Sequence, residues 1–252
     1  MDKILPFSAG SLLISFLLGS IPWGVIISRL FYHRDIREYG SGNIGTTNAF
    51  RTMGKVGGVA VFSLDFLKGL LAGFIAMVFA ILLVDEIFTV VAPPLVTEGS
   101  FVYFGYRVAL DNLDQFAAHL FGLVVGLGLI GAMCGHVFSP WLRFKGGKGV
   151  AVAAGALVFT MGWKGLLIVA SVFAAMTIVT RYVSVGSISA AIVAPFVAYW
   201  AIRGEQVFVA LVCCAATLVI WAHRGNIARL KAGNENRIGK KSTEEVSKVG
   251  DR

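Results

Sequence analysis

The run RFKGGKGV at positions 143–150 separates two long apolar segments and decides how the chain is arranged. It follows FAAHLFGLVVGLGLIGAMCGHV at 116–137, and another apolar segment begins at Val150. Both segments exceed the ~18 residues that indicate a membrane-spanning helix. The sequence therefore predicts a basic, glycine-rich loop between membrane helices.

This glycine loop has the composition of an anion site. Glycine lets the backbone approach a ligand, and successive N–H groups can form an anion nest. A helix starting at Val150 would add free N–H groups and the positive end of its dipole. The loop is not a Walker A motif, because no Gly-Lys-Ser/Thr occurs: glycine follows Lys148 and valine comes next. We predict a phosphate or acyl-phosphate site, or alternatively a flexible basic connector, at Lys145, Gly146, Gly147, Lys148 and Gly149.

Composition assigns the chain to the integral membrane proteins. Its 252 residues are 57% hydrophobic and 14% charged, and the mean hydropathy is +0.79. A net charge of +8 would suggest nucleic acid in a soluble protein. In this chain we expect it to mark cytoplasmic loops and contact with anionic lipid headgroups, and we expect no nucleic-acid partner.

Hydropathy predicts an all-α polytopic membrane protein that forms a single domain of about seven transmembrane helices. The segment 150–180 is interrupted by GWKG at 162–165, which predicts a hairpin of two short helices. The other five predicted spans lie within 4–32, 56–84, 116–137, 185–202 and 206–222.

Basic residues set the orientation. Seventeen of the 22 Lys and Arg residues fall on one side of this arrangement. The positive-inside rule then places the N-terminus outside and the C-terminus in the cytoplasm. Segment 85–115 becomes an extracytoplasmic loop. The cytoplasmic segments are 33–55, 138–149, 181–184 and 223–252, so every polar motif lies on one face.

The first cytoplasmic loop contains GSGNIGTTNAFR at 40–51. Its hydroxyl and amide groups can bond phosphate or hydroxyl oxygens, and the arginine can hold a phosphate with two parallel bonds. The alternative is ordinary turn chemistry with a helix cap at the second threonine or the asparagine after it. The candidate ligand-binding residues are Ser41, Gly42, Asn43, Thr47, Asn48 and Arg51.

Charged residues also occur inside the spans. Asp65 and Lys68 share a helix face, and either a mutual ion pair or a direct substrate contact would explain them. His136 could act as a base, but a hydrogen-bonded histidine at the membrane interface is the commoner role.

The remaining inner segments add hydroxyl, amide and basic groups. Ser184 and Ser187 follow a short polar turn, and the tail contributes His223, Asn226 and Glu235. A basic tail of this kind would by default bind anionic lipid. The inner face has no carboxylate cluster and no His-Glu-x-x-His motif, so we expect neither a metal nor a cofactor.

Together these motifs resemble the bacterial acyl-phosphate:glycerol-3-phosphate acyltransferases. The resemblance spans nearly the whole chain and rests on SGNIGTTN at 41–48 with Arg51, DFLKG at 65–69, GH at 135–136 with FKGGKGVA at 144–151, and HRGNIARL at 223–230 with Gly233 and Glu235. It implies a seven-helix enzyme of the bacterial inner membrane with its active site on the cytoplasmic face. Segment 85–115 is longer than the family's usual connection.

The reaction implied by the resemblance is the first step of phospholipid synthesis. A fatty acyl group passes from acyl-phosphate to the 1-hydroxyl of sn-glycerol 3-phosphate, giving lysophosphatidic acid and phosphate. A functional link to the enzyme that makes acyl-phosphate follows. The implied catalytic residues are Ser41, Lys148, His223 and Asn226; the other candidates, including Lys68, Ser184, Ser187 and Glu235, would bind substrate.

For the chemistry we expect a substrate-assisted route. Acyl-phosphate is already activated, so no covalent enzyme intermediate is needed. Ser41 would orient the attacking hydroxyl, and His223 with Asn226 would position a substrate. Two other classes stay open at this point: a transporter of organic anions, since broken helices also occur in transporters, and a lipid-binding scaffold without chemistry.

Overall fold

The computed structural model describes residues 3–91, 111–202 and 205–239. Short 3₁₀ turns occur at Ile36–Glu38 and Pro140–Leu142. The α-helices within the described ranges are α1 Ile4–Ser20, α2 Trp23–Tyr32, α3 Thr46–Val91, α4 Asp111–Val137, α5 Val150–Ala156, α6 Val158–Thr180, α7 Val183–Ala201, α8 Gln206–Ala222 and α9 Arg224–Lys231.

Small residues bring α1 and α4 into close contact. One face of α1 carries buried serines and glycine, and Gly19 lies directly against the Ala132 backbone. The Ser11 hydroxyl donates to the Val124 carbonyl oxygen at 2.8 Å. Helices in lipid associate through such close packing and interhelical hydrogen bonds, since lipid chains are as apolar as leucine.

Helix α5 packs against α3 in the same way. Gly69 faces the backbone of Val152, and Gly73 faces that of Ala156. Residue numbers rise together along both helices, so α5 runs parallel to α3. The N-terminal end of α5 therefore lies on the same side of the bundle as the polar end of α3.

The core lies where α4, α7 and α8 meet. Val124, Met133, Ala198 and Phe208 are almost completely buried there. The outer faces of the bundle are also apolar, since Phe196 and Val179 are largely exposed. A folded chain that is apolar both inside and outside has the surface of a protein embedded in lipid.

Within the residues that the structure describes, five helical segments are long and apolar enough to span a membrane. They are Ile4–Tyr32, Thr46–Ile87, Phe116–Leu142, Val158–Thr180 and Val183–Ala201; a sixth results if α8 and α9, which meet at 52°, count as one broken span. The predicted α8 boundaries agree with the structure. The count of seven and the orientation of the termini remain predictions.

The helices also differ from the predictions in places. The loop predicted for 33–55 ends at Gly45, because α3 begins at Thr46 and only kinks at Gly54, which has φ 72°. The break predicted near Gly162 is present, with φ 65° at that residue. Helix α6, Val158–Thr180, contains this break and is nevertheless long enough to span a membrane. The prediction that the second helix of the hairpin is short is therefore wrong.

Other boundaries shift as well. The first span is two helices, because Pro22 precedes α2. The basic, polar tail begins with a helix, α9. Segment 85–115 was predicted to be a loop. Its described residues, 85–91 and 111–115, are helical and belong to α3 and α4, while 92–110 lies outside the described residues.

Candidate active site

One end of the bundle holds a cavity of about 820 Å³. Its walls near this end come from four segments that are far apart in sequence. The predicted site residues that line it are Ser41, Asn43, Thr47, Asn48, Arg51, Lys148, Gly149, Ser184, Ser187, His223, Asn226 and Glu235. A smaller recess of about 260 Å³ shares Ser41, Lys148 and Asn226 with it.

Asn48 holds the first loop together from the inside. It is buried, and its side-chain nitrogen lies within 2.8–3.1 Å of the Asn43, Tyr39 and Ile36 carbonyl oxygens. Its side-chain oxygen accepts the Ser41 N–H at 2.9 Å. These bonds use the amide almost completely, so the prediction that Asn48 binds substrate directly is corrected to a structural role.

Three other residues of this loop present free polar groups to the cavity. In the described part of the chain, the Ser41 hydroxyl, the Thr47 hydroxyl and the Arg51 guanidinium make no hydrogen bond. Gly42 does not line the cavity; its φ of 69° and its N–H bond to the Tyr39 carbonyl oxygen belong to a turn. The loop therefore offers hydroxyl donors and a cation, held in place by Asn48.

The glycine loop differs from the predicted anion nest. The Gly146 N–H donates to the Val137 carbonyl oxygen and the Gly147 N–H to that of His136, each at 3.0 Å. Neither glycine lines the cavity, and Lys145 is exposed outside it. The prediction that these three residues contact substrate is corrected, because the two glycine N–H groups bond to the protein's own carbonyl oxygens and the Lys145 side chain lies outside the cavity.

The part of the loop whose donors remain free begins one residue later. Gly149, with φ 77°, starts α5, and Lys148 points to the cavity. Over the described ranges, the N–H groups of 148–152 donate to no backbone acceptor. Unpaired N–H groups at the start of a helix, together with a lysine, favour an anion.

A buried cluster of charged side chains packs against this loop. Lys68 Nζ lies 2.8 Å from Asp65 Oδ1, 2.7 Å from the Ile21 carbonyl oxygen and 2.9 Å from His136 Nδ1. A lysine ammonium has three donors and no acceptor. We therefore assign Nδ1 of His136 as the acceptor and place the ring proton on Nε2.

This cluster bears on two open questions. Lys68 does not line the cavity, although its partners Asp65 and His136 do, so the structure favours the ion pair for this lysine, and a direct substrate contact stays a prediction. His136 is buried and hydrogen-bonded, as the commoner role predicted. Its Nε2 occupies the space that a Cβ on Gly147 would need, so glycine is required there for close packing.

Lys148 is the cation most affected by its surroundings. Burial lowers its pKa to about 8; the charge of Glu235 opposes this shift, and those of Arg229 and Arg51 add to it. No hydrogen bond from its ammonium group is found among the described residues. A lysine that is partly desolvated and close to two arginines gains most by binding an anion.

His223 lies at the bend between α8 and α9. Its Nδ1 is 2.8 Å from the Val219 carbonyl oxygen, which identifies Nδ1 as the protonated nitrogen of the neutral ring. Burial, reinforced by the charge of Lys148, lowers its pKa to about 4. Near pH 7 the ring is neutral and can accept a hydrogen bond at Nε2, but it is a weak base.

Glu235 connects the tail to α7 and α9. Its carboxylate accepts bonds from Ser184 Oγ at 2.9 Å, Asn226 Nδ2 at 2.6 Å and Arg229 Nε at 2.8 Å. Burial tends to raise its pKa, but the bonds from Asn226, Arg229 and Ser184 outweigh burial, and the pKa is lowered. The carboxylate is thus ionised and orders three residues of the site.

Arg229 is a site residue that the sequence prediction omitted. It lines the smaller recess beside Asn226. The spacing of His223, Asn226 and Arg229 by three residues, which places all three near one helix face, was the available signal.

The fold and this cavity define a class of protein. It is an all-helical, multi-span membrane protein in which hydroxyls, amides and cations from four segments surround one end of a largely apolar cavity. Comparison with known proteins then identifies the family. A family model described as Glycerol-3-phosphate acyltransferase matches residues 9–233, so the chain belongs to the glycerol-3-phosphate acyltransferase family.

Individual relatives agree with the family assignment. The chain is 34% identical to a glycerol-3-phosphate acyltransferase of Rhodopseudomonas palustris (strain HaA2) over 92% of its length and 95% of the relative. It is 35% identical to one of Brucella ovis over 92% of its length and 94% of the relative.

Solved structures agree as well. The chain resembles the crystal structure of PlsY (YgiH), an integral membrane glycerol 3-phosphate acyltransferase, in its glycerol 3-phosphate form. The TM-score is 0.68 at 29% identity, covering 95% of this chain and 98% of that one. The lysophosphatidic acid form gives a TM-score of 0.66 at 28% identity, covering 92% and 95%. The chain is therefore a membrane acyltransferase of phospholipid biosynthesis.

Proposed function

We propose that the enzyme transfers a fatty acyl group from acyl-phosphate to the 1-hydroxyl of sn-glycerol 3-phosphate, forming lysophosphatidic acid and phosphate. The observation that carries this proposal is the two-part cavity. Its polar end holds Arg51 and Lys148, and its remaining walls are apolar. A substrate with a phosphate head and a fatty chain fits both parts at once.

Lys148 and the free N–H groups at the start of α5 hold the donor's phosphate. Arg51, with Ser41 and Thr47, holds the acceptor, glycerol 3-phosphate, and the Arg51 guanidinium pairs with its phosphate. Both phosphates are anions, so bringing them together is opposed by their mutual repulsion, and cations placed beforehand reduce that barrier. The glycerol-3-phosphate form of the related PlsY is consistent with an acceptor site of this kind.

The reaction needs no covalent intermediate on the protein. The acceptor's 1-hydroxyl oxygen bonds to the acyl carbon, the bond from that carbon to the phosphate oxygen breaks, and the hydroxyl proton passes to the departing phosphate. Ser41 orients the hydroxyl. A His223 pKa of about 4 supports this substrate-assisted route, because so weak a base removes a proton poorly at neutral pH.

We further propose that the site faces the cytoplasm, with the N-terminus outside and seven crossings in all. The start of α5, at Val150, and the end of α6, near Thr177, line the same cavity. The chain between them therefore enters the bundle and returns to the same end, which supports placing 138–149 and 181–184 on one face. The cytoplasmic segments 33–55, 138–149, 181–184 and 223–252 each contribute to this polar end.

An assay in proteoliposomes tests the function. Purified protein is supplied with labelled glycerol 3-phosphate and either palmitoyl phosphate or palmitoyl-CoA. We expect label in lysophosphatidic acid with palmitoyl phosphate alone. Label from palmitoyl-CoA would overturn the donor assignment, and unchanged label inside the lumen would favour transport.

A further inference from the structure

The apolar arm of the cavity is built from helix faces that point to a common space. On α7 the lining residues recur at 183–184, 187, 190–191 and 194, which is the spacing of one helix face. The same spacing occurs on α8, at 212, 215–216 and 219, and on α6, at 166, 169–170, 173 and 177. The arm is therefore a continuous slot within the bundle.

The slot has a similar length along four of the segments that form it. Its lining residues extend over eleven positions in 183–194, in 166–177, in 150–161, and from Val212 to His223 at the bend after α8. At 1.5 Å per residue, eleven positions correspond to ~16 Å. The deepest of these residues, which form the floor of the slot, are Ala194, Val212, Leu166 and Met161.

This depth matches a membrane fatty chain. The hydrocarbon core of a bilayer is ~30 Å thick, so the chains of one leaflet reach ~15 Å. Near the floor, α7 and α8 contribute alanines at 190, 191, 215 and 216, whose small side chains leave room for a fatty chain between the two helices. The slot is thus deep enough for one extended chain of membrane length and closed beyond it.

The slot is also accessible from the lipid. Phe50, Val59 and Phe62 on α3 line the cavity while remaining largely exposed on the outer surface of the bundle, as does Ala170 on α6. A fatty chain already in the membrane can therefore enter sideways while its phosphate reaches Lys148.

We infer that this slot measures the donor's acyl chain, and that Ala194 and Val212 at its floor set the upper limit of chain length. The inference rests on the proposed function, because it takes acyl-phosphate as the donor. Ala194 is only 7% exposed, so a larger side chain there must fill the slot. The adjacent lipid-facing residue Ile192 is 52% exposed and does not line the cavity.

The test is kcat/KM measured across acyl phosphates from octanoyl to stearoyl, with Ala194→Phe and its control Ile192→Phe. One methylene group in an apolar pocket changes kcat/KM by roughly 10–200-fold. We expect Ala194→Phe to lose at least ~10-fold on stearoyl phosphate relative to octanoyl phosphate. Ile192→Phe should keep the wild-type profile.

A second variant works in the opposite direction. Val212→Ala deepens the floor, so the preference should move toward the longest donors. An unchanged profile in Ala194→Phe and Val212→Ala, with an active wild type, would overturn the inference and leave the proposed function standing. A wild type inactive with every acyl phosphate would instead overturn the proposed function. Equal loss at all lengths in Ala194→Phe would show that the chain lies outside this slot.

Discussion

The two charged clusters of this protein differ in what they leave unpaired. Below the glycine loop, Asp65, Lys68 and His136 are buried and bound to one another. At the mouth of the cavity, Lys148 and Arg51 make no hydrogen bond to any described residue. The first cluster uses its groups on the protein itself, whereas the second keeps cations available for anionic substrates.

The comparison shows that two residues of the same type can have different roles because they lie in different surroundings. Lys68 and Lys148 are both lysines beside acidic and basic neighbours, yet only Lys148 reaches the cavity. A buried ion pair contributes little net stability, but removing one partner leaves a charge uncompensated. We therefore expect Lys148 to act on turnover and Lys68 to act on folding.

The largest effect should follow the loss of the Lys148 charge. Removing one group that stabilises developing charge lowers kcat by ~10²–10³-fold, and we expect Lys148→Ala to fall in this range while the protein stays folded. The matched control is Lys145→Ala, three positions away and outside the cavity. Equal losses in both variants would mean that general loop charge, and not the placement of Lys148, matters.

Breaking the buried cluster should cost stability. Lys68→Met leaves the Asp65 carboxylate unpaired, which typically destabilises by ~3–5 kcal/mol. Unfolding in detergent, followed by circular dichroism, measures this. The double variant Asp65→Leu with Lys68→Met should recover most of the loss. If the double variant is no more stable than the single one, the cluster is more than a self-contained ion pair.

Arg51 should affect the acceptor more than the donor. Arg51→Lys keeps the charge but loses the two-pronged geometry. A hydrogen bond to a charged group contributes ~1.5–3 kcal/mol, so the KM for glycerol 3-phosphate should rise about ten-fold or more. Steady-state kinetics with each substrate varied in turn measures the change. A rise confined to acyl-phosphate would assign Arg51 to the donor site.

The pKa of Lys148 predicts a basic limit to activity. With a pKa of about 8, Lys148 is charged below that pH and loses its charge above it. The KM for acyl-phosphate should therefore rise as the pH increases beyond 8. Lys148→Arg stays charged at these pH values, so the rise should disappear in that variant. Persistence of the rise would assign it to another group.

The smallest effect should follow removal of the imidazole. General-base catalysis contributes ~10²–10⁴-fold, so on the substrate-assisted route His223→Gln should lose less than the low end of that range. Its pH–rate profile between pH 5 and 8 should match the wild type. A folded but inactive variant, with an acidic limb near the imidazole pKa in the wild type alone, would make His223 the base.

Much of the fold follows from the sequence by itself. Hydropathy is a local property, so the apolar segments and most of their ends could be read directly; α8, for example, has its predicted boundaries. The glycine-rich run at 146–149 correctly predicted the start of a helix at Val150. The resemblance of the motifs also predicted the family.

The tertiary structure decided which polar groups remain available, because that depends on partners distant in sequence. Asn48, Gly146 and Gly147 resembled ligand donors, yet their groups bond to the protein's own carbonyl oxygens. Lys145 and Lys148 carry the same charge, and only packing against α4 turns one outward and the other to the cavity. Composition specifies which groups a chain possesses, but only folding determines which of them stay unpaired.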